Sequence, residues 1–252
     1  SSAWTFAHDR VLELVESYLM PEKGKDAIAL AIFQAIDKWD EGAVNTLCKI
    51  SRRTYNYNVR LLADDISQSV PDLAPRVVRA DVERRMELAM QEDSTGPEPP
   101  QITEDSNESD VINHMLFEKN KELKKIFELG SEWHELSNIA ESAPRSFLKE
   151  IWPMFLQALP YLLRAQNPLI KEYQNDTISP HLEGRHGVYD GQLTVAIDTA
   201  IISLAQLDQG AFLEFLKENI DSPSLLVHRF LSRGLSNIAA SKQDIVKLYL
   251  TG

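Results

Sequence analysis

Apolar residues recur at intervals of three and four positions along most of the chain, and this spacing constrains the fold more than any other feature of the sequence. Between Trp4 and Met20 they fall on one side of a helical wheel, and Pro21 ends the run. Side chains at this interval line one face of an α-helix. The same spacing predicts further helices at 27–36, 43–53, 57–66, 77–90, 111–129, 133–141, 145–159, 161–173, 193–207, 211–220, 225–240 and 243–250. The sequence therefore predicts an all-α fold.

Three positions in this pattern carry more specific expectations. Segment 27–36 is apolar at almost every position, so we expect its helix to be buried on most sides. Pro144 falls at the start of a helix, where its missing N–H is tolerated. Pro153 falls inside a helix, which we expect it to kink or divide.

The second half of the chain contains a match with itself at an offset of 65 residues. Its apolar positions are Ile139-Ala140, Phe147-Leu148 and Ile151 in one copy, and Leu204-Ala205, Phe212-Leu213 and Leu216 in the other. Each copy reads as a helix, a short turn and a second helix. Helix pairs of this kind bury one face on the next pair and so form a continuous core by stacking. We therefore predict an α-solenoid-like array of stacked antiparallel helix pairs.

Composition divides the chain into three parts. Residues 91–110 contain Gly96, Pro97, Pro99 and Pro100, together with seven acidic residues and no lysine or arginine. Such a segment buries too little apolar surface to offset the entropy of ordering it. We interpret it as an acidic flexible linker or disordered loop, between an N-terminal helical region at 1–90 and a C-terminal helical-repeat region at 111–252.

The charge balance restricts the classes of partner. The chain has 26 basic and 38 acidic residues, a net charge of -12, which argues against binding to a phosphate backbone. A basic cluster made by Lys49, Arg52, Arg53 and Arg60, with Tyr55 and Tyr57 nearby, is the one candidate for phosphate contact, although it suits the outer face of a helix equally well.

The sequence also bears on the location of the protein. It contains neither a run of about 18 apolar residues that would span a bilayer nor the order of a signal peptide. The single cysteine, Cys48, follows the apolar rhythm of a buried position. We expect a cytoplasmic protein without a membrane segment. Because the chain begins at Ser1 and stops directly after an apolar helical pattern, we expect it to be a piece of a longer protein.

Motifs that carry chemistry are missing from the sequence. Gly24-Lys25 is followed by Asp26 and does not form a P-loop, and no Gly-x-Ser-x-Gly elbow is present. The loop at 175–191 holds His181 and His186 among the acidic residues Asp176, Glu183 and Asp190, which could supply metal ligands. The spacing of five does not match a helical i,i+4 pair, so a polar surface loop is favoured. We expect no enzyme activity and no cofactor, with an enzyme or metal site at this loop as the alternative.

Three stretches in the second half resemble a known family. They read LSNIAESAPRSFLKEI, LAQLDQGAFLEFLKENI and SPSLLVHRFLSRGLSNIAASKQDIVKLYL. Over residues 131–250 they resemble the HEAT-like and tetratricopeptide-like helical arrays that follow the nucleotidase core of bacterial STAND NTPases, the NACHT-type proteins of antiviral defence. The resemblance implies a sensor that grips a foreign or target protein. The nucleotide-binding motifs of that family are absent here, so ATPase activity is not implied.

Helical repeats without catalytic motifs predict a recognition module or scaffold that binds another protein. Candidate contact residues are Trp133, Trp152, Tyr161, His181, Arg185, His186 and Tyr189. Aromatic residues at helical spacing also suit a core, and this interpretation stays open for the first three. A further alternative is a structural segment that self-associates. The sequence does not identify the partner or the oligomeric state.

Overall fold

The computed structural model describes residues 2–21, 24–36, 38–54, 57–95, 121–128, 136–162 and 193–238. Every regular element in these ranges is helical, which confirms the all-α fold. The first half contains α1 (Ser2–Leu14), which continues as a π-helical turn (Val15–Leu19), then α2 (Asp26–Gln34), α3 (Glu41–Ser51), α4 (Tyr57–Ser69), a 3-10 turn (Pro71–Leu73) and α5 (Ala74–Thr95). The second half contains α6 (Lys121–Glu128), α7 (Leu136–Ser142), α8 (Pro144–Leu162), α9 (Leu193–Leu207), α10 (Gln209–Asn219) and α11 (Leu225–Ser236).

Two helices organise the packing. In the first half, α5 contacts α3 and α4, and it also contacts α6 and α8 of the second half. Helix α9 contacts α6, α7, α8, α10 and α11. A single cluster of buried apolar residues extends from Val15 to Leu235. Contacts thus reach beyond neighbours in the chain, whereas the units of an ideal solenoid contact only adjacent units. The array of stacked pairs stays a prediction.

The two helix pairs of the second half break at matching positions. Helix α8 begins after Ala143 and α10 begins after Asp208, 65 residues later. At both breaks the first backbone bond has the same register, from Phe147 N–H to Ala143 O at 2.8 Å and from Phe212 N–H to Asp208 O at 3.0 Å. The Asp208 carboxylate also accepts a bond from Ala211 N–H and so caps α10.

Helices α8 and α5 differ from the sequence-based expectation. Helix α8 is continuous through Pro153 and Pro160, where we expected a kink or a division at Pro153 and a separate helix from Tyr161. Both prolines are exposed, so the backbone carbonyls that they leave without a partner in the helix lie on the side where water can hydrate them. Helix α5 extends to Thr95, past the expected boundary at residue 90. Within the described residues, no helix is both long and apolar enough to cross a membrane.

Gly234 sets the distance between α11 and its neighbours. A Cβ atom at this position would overlap the ring of Phe212 and stand 2.9 Å from Cγ2 of Ile201. Both neighbours are fully buried, so neither can move without disturbing the core.

We therefore expect Gly234→Ala to lower the free energy of unfolding by about 1–3 kcal/mol, the usual cost of overpacking a core. Gly210→Ala is the matched control, because its Cβ would meet only Asp208 Oδ1 at 3.4 Å. This second change should be neutral or stabilising by up to about 1 kcal/mol, since alanine favours a helix more than glycine does. Chemical denaturation of both variants measures the difference, and an equal effect would contradict the close packing of α11.

Candidate recognition surface

Helix α2 has an apolar face that no described residue covers. On its inner side Ala29, Leu30 and Phe33 are buried. On its outer side four apolar residues are exposed, namely Ala27, Ile28, Ala31 and Ala35. The expectation that this helix is buried on most sides was wrong, because its contacts with the π-helical turn, α3 and α4 leave one side open. The outer face of a surface helix is normally charged, whereas this one has no charged residue between positions 27 and 35.

The elements beside α2 expose large apolar side chains as well. The π-helical turn and α4 both contact α2. Tyr18, in the π-helical turn, is 66% exposed, and Ile28 of α2 is 53% exposed. Four of the nine large exposed hydrophobic side chains among the described residues lie on these elements, namely Tyr18, Ile28, Tyr57 and Leu61, and a fifth, Leu14, ends α1 directly before the π-helical turn. We call these five residues, with Ala27, Ala31 and Ala35, the α2 surface.

The exposed side chains of the α2 surface add up to a sizeable area. A tyrosine that is fully exposed offers about 150–250 Å² of surface. At exposures of 66% for Tyr18 and 49% for Tyr57, the two tyrosines alone present roughly 200 Å² on that scale. Together with Leu14, Ile28 and Leu61, the α2 surface reaches the few hundred Å² at which exposed patches on monomers are often functional.

The basic cluster expected from the sequence is dispersed in the structure. Each of its four cations lies beside a carboxylate of another helix. The pairs are Lys49 with Glu16 at 2.7 Å, Arg52 with Glu83 at 2.9 Å, Arg53 with Asp26 at 3.9 Å and Arg60 with Asp81 at 3.9 Å. The four side chains are thus largely neutralised by their neighbours and do not present a basic face for phosphate.

Arg84 and Arg85 lie in a largely buried charge cluster, although their sequence pattern suggests a solvated outer face of α5. Arg85 Nε is 2.9 Å from a carboxylate oxygen of Asp81, and a nitrogen of Arg84 is 4.0 Å from the other oxygen. Arg60 of α4 approaches the same carboxylate. Because Asp81 is buried, it holds these cations against the α4–α5 interface. The cluster joins two helices.

A second set of ion pairs joins α3, α5 and α8. Arg79 of α5 donates to Glu83 at 2.6 Å and to Glu150 of α8 at 2.9 Å, while Arg52 at the end of α3 also donates to Glu83. Burial by itself raises the pKa of Glu83, but the hydrogen bonds from Arg79 and Arg52 outweigh it and lower that pKa below the usual value. Glu83 is therefore more acidic in the folded protein than in the unfolded chain.

Only one of the predicted contact residues has a described side chain. Trp152 is 5% exposed. Its ring packs against Phe155, Phe215 and Phe230, and its indole N–H donates to Asn219 Oδ1 at 2.8 Å. The alternative interpretation of Trp152 as a core residue is therefore the one that its burial supports.

The other predicted contact residues carry no structural information here. Tyr161 lies in the last turn of α8, and its side chain is outside the described part of the chain. The remaining five lie outside the described residues altogether, namely Trp133, His181, Arg185, His186 and Tyr189. The acidic residues of the loop at 175–191 lie outside them too. Among the residues that are described, no three metal-binding side chains come together.

Cys48 is a buried residue of α3, as its position in the apolar pattern predicts. Burial raises the pKa of its thiol to about 11. The thiolate is the reactive form of cysteine, so this side chain is unreactive near neutral pH.

The lowered pKa of Glu83 gives the ion pairs a defined pH dependence. Their contribution to stability is complete above the ordinary pKa of glutamate and is lost as the pH falls through the lower pKa of the folded state. We expect Glu83→Gln to lower the free energy of unfolding at pH 7 by about 1 kcal/mol, since its arginine partners are partly exposed. The difference from the unmutated protein should shrink as the pH falls through the lowered pKa of Glu83 in the folded state.

Denaturation curves across the pH range measure this difference. Glu87→Gln is the matched control, because Glu87 is an exposed glutamate of the same helix. A pH-independent difference for Glu83→Gln, or the same profile for both variants, would contradict the role assigned to these ion pairs.

Comparison with known proteins gave no match to a family model, to a curated protein or to a solved structure. The function is therefore argued from the α2 surface.

Proposed function

We propose that this chain is a protein-recognition module that binds another protein through the α2 surface. The observation that carries the proposal is the uncharged outer face of a surface helix, with exposed tyrosines on both elements beside it. Burying apolar surface is the main favourable contribution to association, and tyrosine is enriched among the residues that dominate binding energies.

The α2 surface rests on a rigid base. Leu30 and Phe33 anchor α2 in the core, and the ring of Phe33 stacks on Trp39 with a centroid distance of 5.8 Å. Trp39 lies just before α3, so it ties the end of α2 to the next helix. A surface that is already ordered loses little entropy when a partner binds, which favours affinity.

The proposal also concerns the larger protein to which this chain would belong. The resemblance to the helical arrays of STAND NTPases, together with the 65-residue register of the breaks at Ala143 and Asp208, supports a helical-repeat region in the second half. The chain would then be a cytoplasmic sensor or scaffold part of a larger protein, and antiviral defence is the context that the resemblance suggests.

A charged residue in the middle of the α2 surface tests the proposal. Ala31→Glu adds a carboxylate at an exposed helical position, where the fold tolerates it but an apolar interface does not. Proteins that bind the unmutated chain can be identified by crosslinking in a cell extract. We expect the variant to capture at least about tenfold less of these proteins, because one buried charge is enough to weaken binding by that factor.

Leu207→Glu is the matched control, because Leu207, 74% exposed at the end of α9, is the most exposed large apolar residue in the described part of the chain. Circular dichroism and denaturation curves establish that both variants are folded. If the two variants retain the same proteins as the unmutated chain, the α2 surface is not the binding site and the proposal is wrong.

A further inference from the structure

We infer that the α2 surface receives an amphipathic α-helix of another protein, with basic residues on either side of its apolar stripe. This inference rests on the proposed function and specifies the chemical class of the partner.

The shape of the α2 surface fits a helix. Its central residues are small, with Ala27, Ala31 and Ala35 one turn apart, so another backbone can approach closely. Larger exposed side chains on neighbouring elements are also one turn apart, as Leu14 with Tyr18 where α1 continues into the π-helical turn, and Tyr57 with Leu61 on α4. A helix repeats its apolar side chains at this same interval and can lay them along these residues.

An extended peptide fits less well. Binding as an added strand requires the unpaired backbone groups of an exposed sheet edge. Every regular element in the described part of the chain is helical, and α2 forms its own backbone hydrogen bonds. The α2 surface presents apolar side chains at helical spacing, which suits a helix better than a strand.

Charges at the margins of the α2 surface favour a basic partner. Glu13 is exposed next to Leu14, and Asp65 is exposed one turn beyond Leu61. Asp9 is exposed one turn before Glu13, whereas the exposed cations near these residues in the described sequence include Arg10, Lys38 and Arg53, of which Arg53 lies 3.9 Å from Asp26. With a net charge of -12 on the whole chain, the surroundings attract a cationic partner. The same charge disfavours a second copy of the chain and an anionic membrane.

Three synthetic peptides of about 18 residues, roughly five helical turns, test the inference. The first has a leucine–alanine stripe flanked by lysines, the second has the same stripe flanked by glutamates, and the third has the composition of the first in an order without a stripe. We expect the first to bind at least about tenfold more tightly than the other two, and its affinity to fall as salt screens the charges.

Variants of the full chain locate the binding site. Binding of the lysine-flanked peptide should be lost in Ala31→Glu and retained in Leu207→Glu. In the double variant Glu13→Lys, Asp65→Lys, the lysine-flanked peptide should bind with an affinity closer to that of the glutamate-flanked peptide. Fluorescence anisotropy with labelled peptides measures all of these affinities.

Each other outcome overturns the inference in a recognisable way. Equal binding of the scrambled peptide indicates charge attraction without a helical stripe, and tighter binding of the glutamate-flanked peptide indicates an acidic partner. If the chain self-associates or binds anionic vesicles, and Ala31→Glu abolishes this, the α2 surface has a different occupant.

If no peptide binds but the capture of proteins still depends on Ala31, the partner class is wrong and the proposed function stands. If capture is also independent of Ala31, both are wrong.

Discussion

The packing of α5 against helices of both halves is the contact on which the rest of the structure depends. Its buried side joins one continuous core, and its charged side is fixed by the ion pairs of Arg79 and Glu83 to α3 and α8. Apolar burial supplies most of the free energy, because partly exposed ion pairs contribute about 1 kcal/mol or less each. The ion pairs have a different effect: they are directional, so they fix how α3 and α8 lie along α5. The helices on either side of the acidic segment are thereby placed against a common support.

The sequence predicted the helices well, because their periodicity, caps and prolines are local signals. Helix α9 has the predicted bounds, and α8 begins at Pro144 as expected. Apart from the undivided helix at Pro153 and the end of α5 at Thr95, the errors concern what each face contacts. The helix at 27–36 was expected to be buried on most sides, and Arg84 and Arg85 suggested a solvated face, since an apolar or charged pattern does not reveal whether another helix covers it. The candidate site was missed for the same reason: Trp152 is a core residue, while the α2 surface carries no motif and becomes visible only once its covered side is known.

The ion pairs also explain why a chain with 26 basic residues presents no basic face at the expected cluster. Lys49, Arg52 and Arg53 come from a short stretch of sequence, yet each turns to a different helix, towards Glu16, Glu83 and Asp26. Side chains around one helix point in different directions, so adjacent cations reach separate carboxylates. Clustering in sequence is therefore a poor guide to charge clustering in an all-α fold.

The alanines on the outer face of α2 also have an explanation that involves no partner, namely stabilisation of the helix itself. A nine-residue helix is marginal by itself, and alanine has the highest helix propensity of all residues. Propensity alone, however, does not account for the α2 surface. Glutamate and lysine cost only a few tenths of a kcal/mol relative to alanine and would keep the exposed face hydrated. Isoleucine is a poorer helix former, yet Ile28 stands more than half exposed in the first turn. Helix propensity can account for the alanines, but not for Ile28 or for the exposed tyrosines on the neighbouring elements, and it is these side chains that indicate a surface shaped for contact.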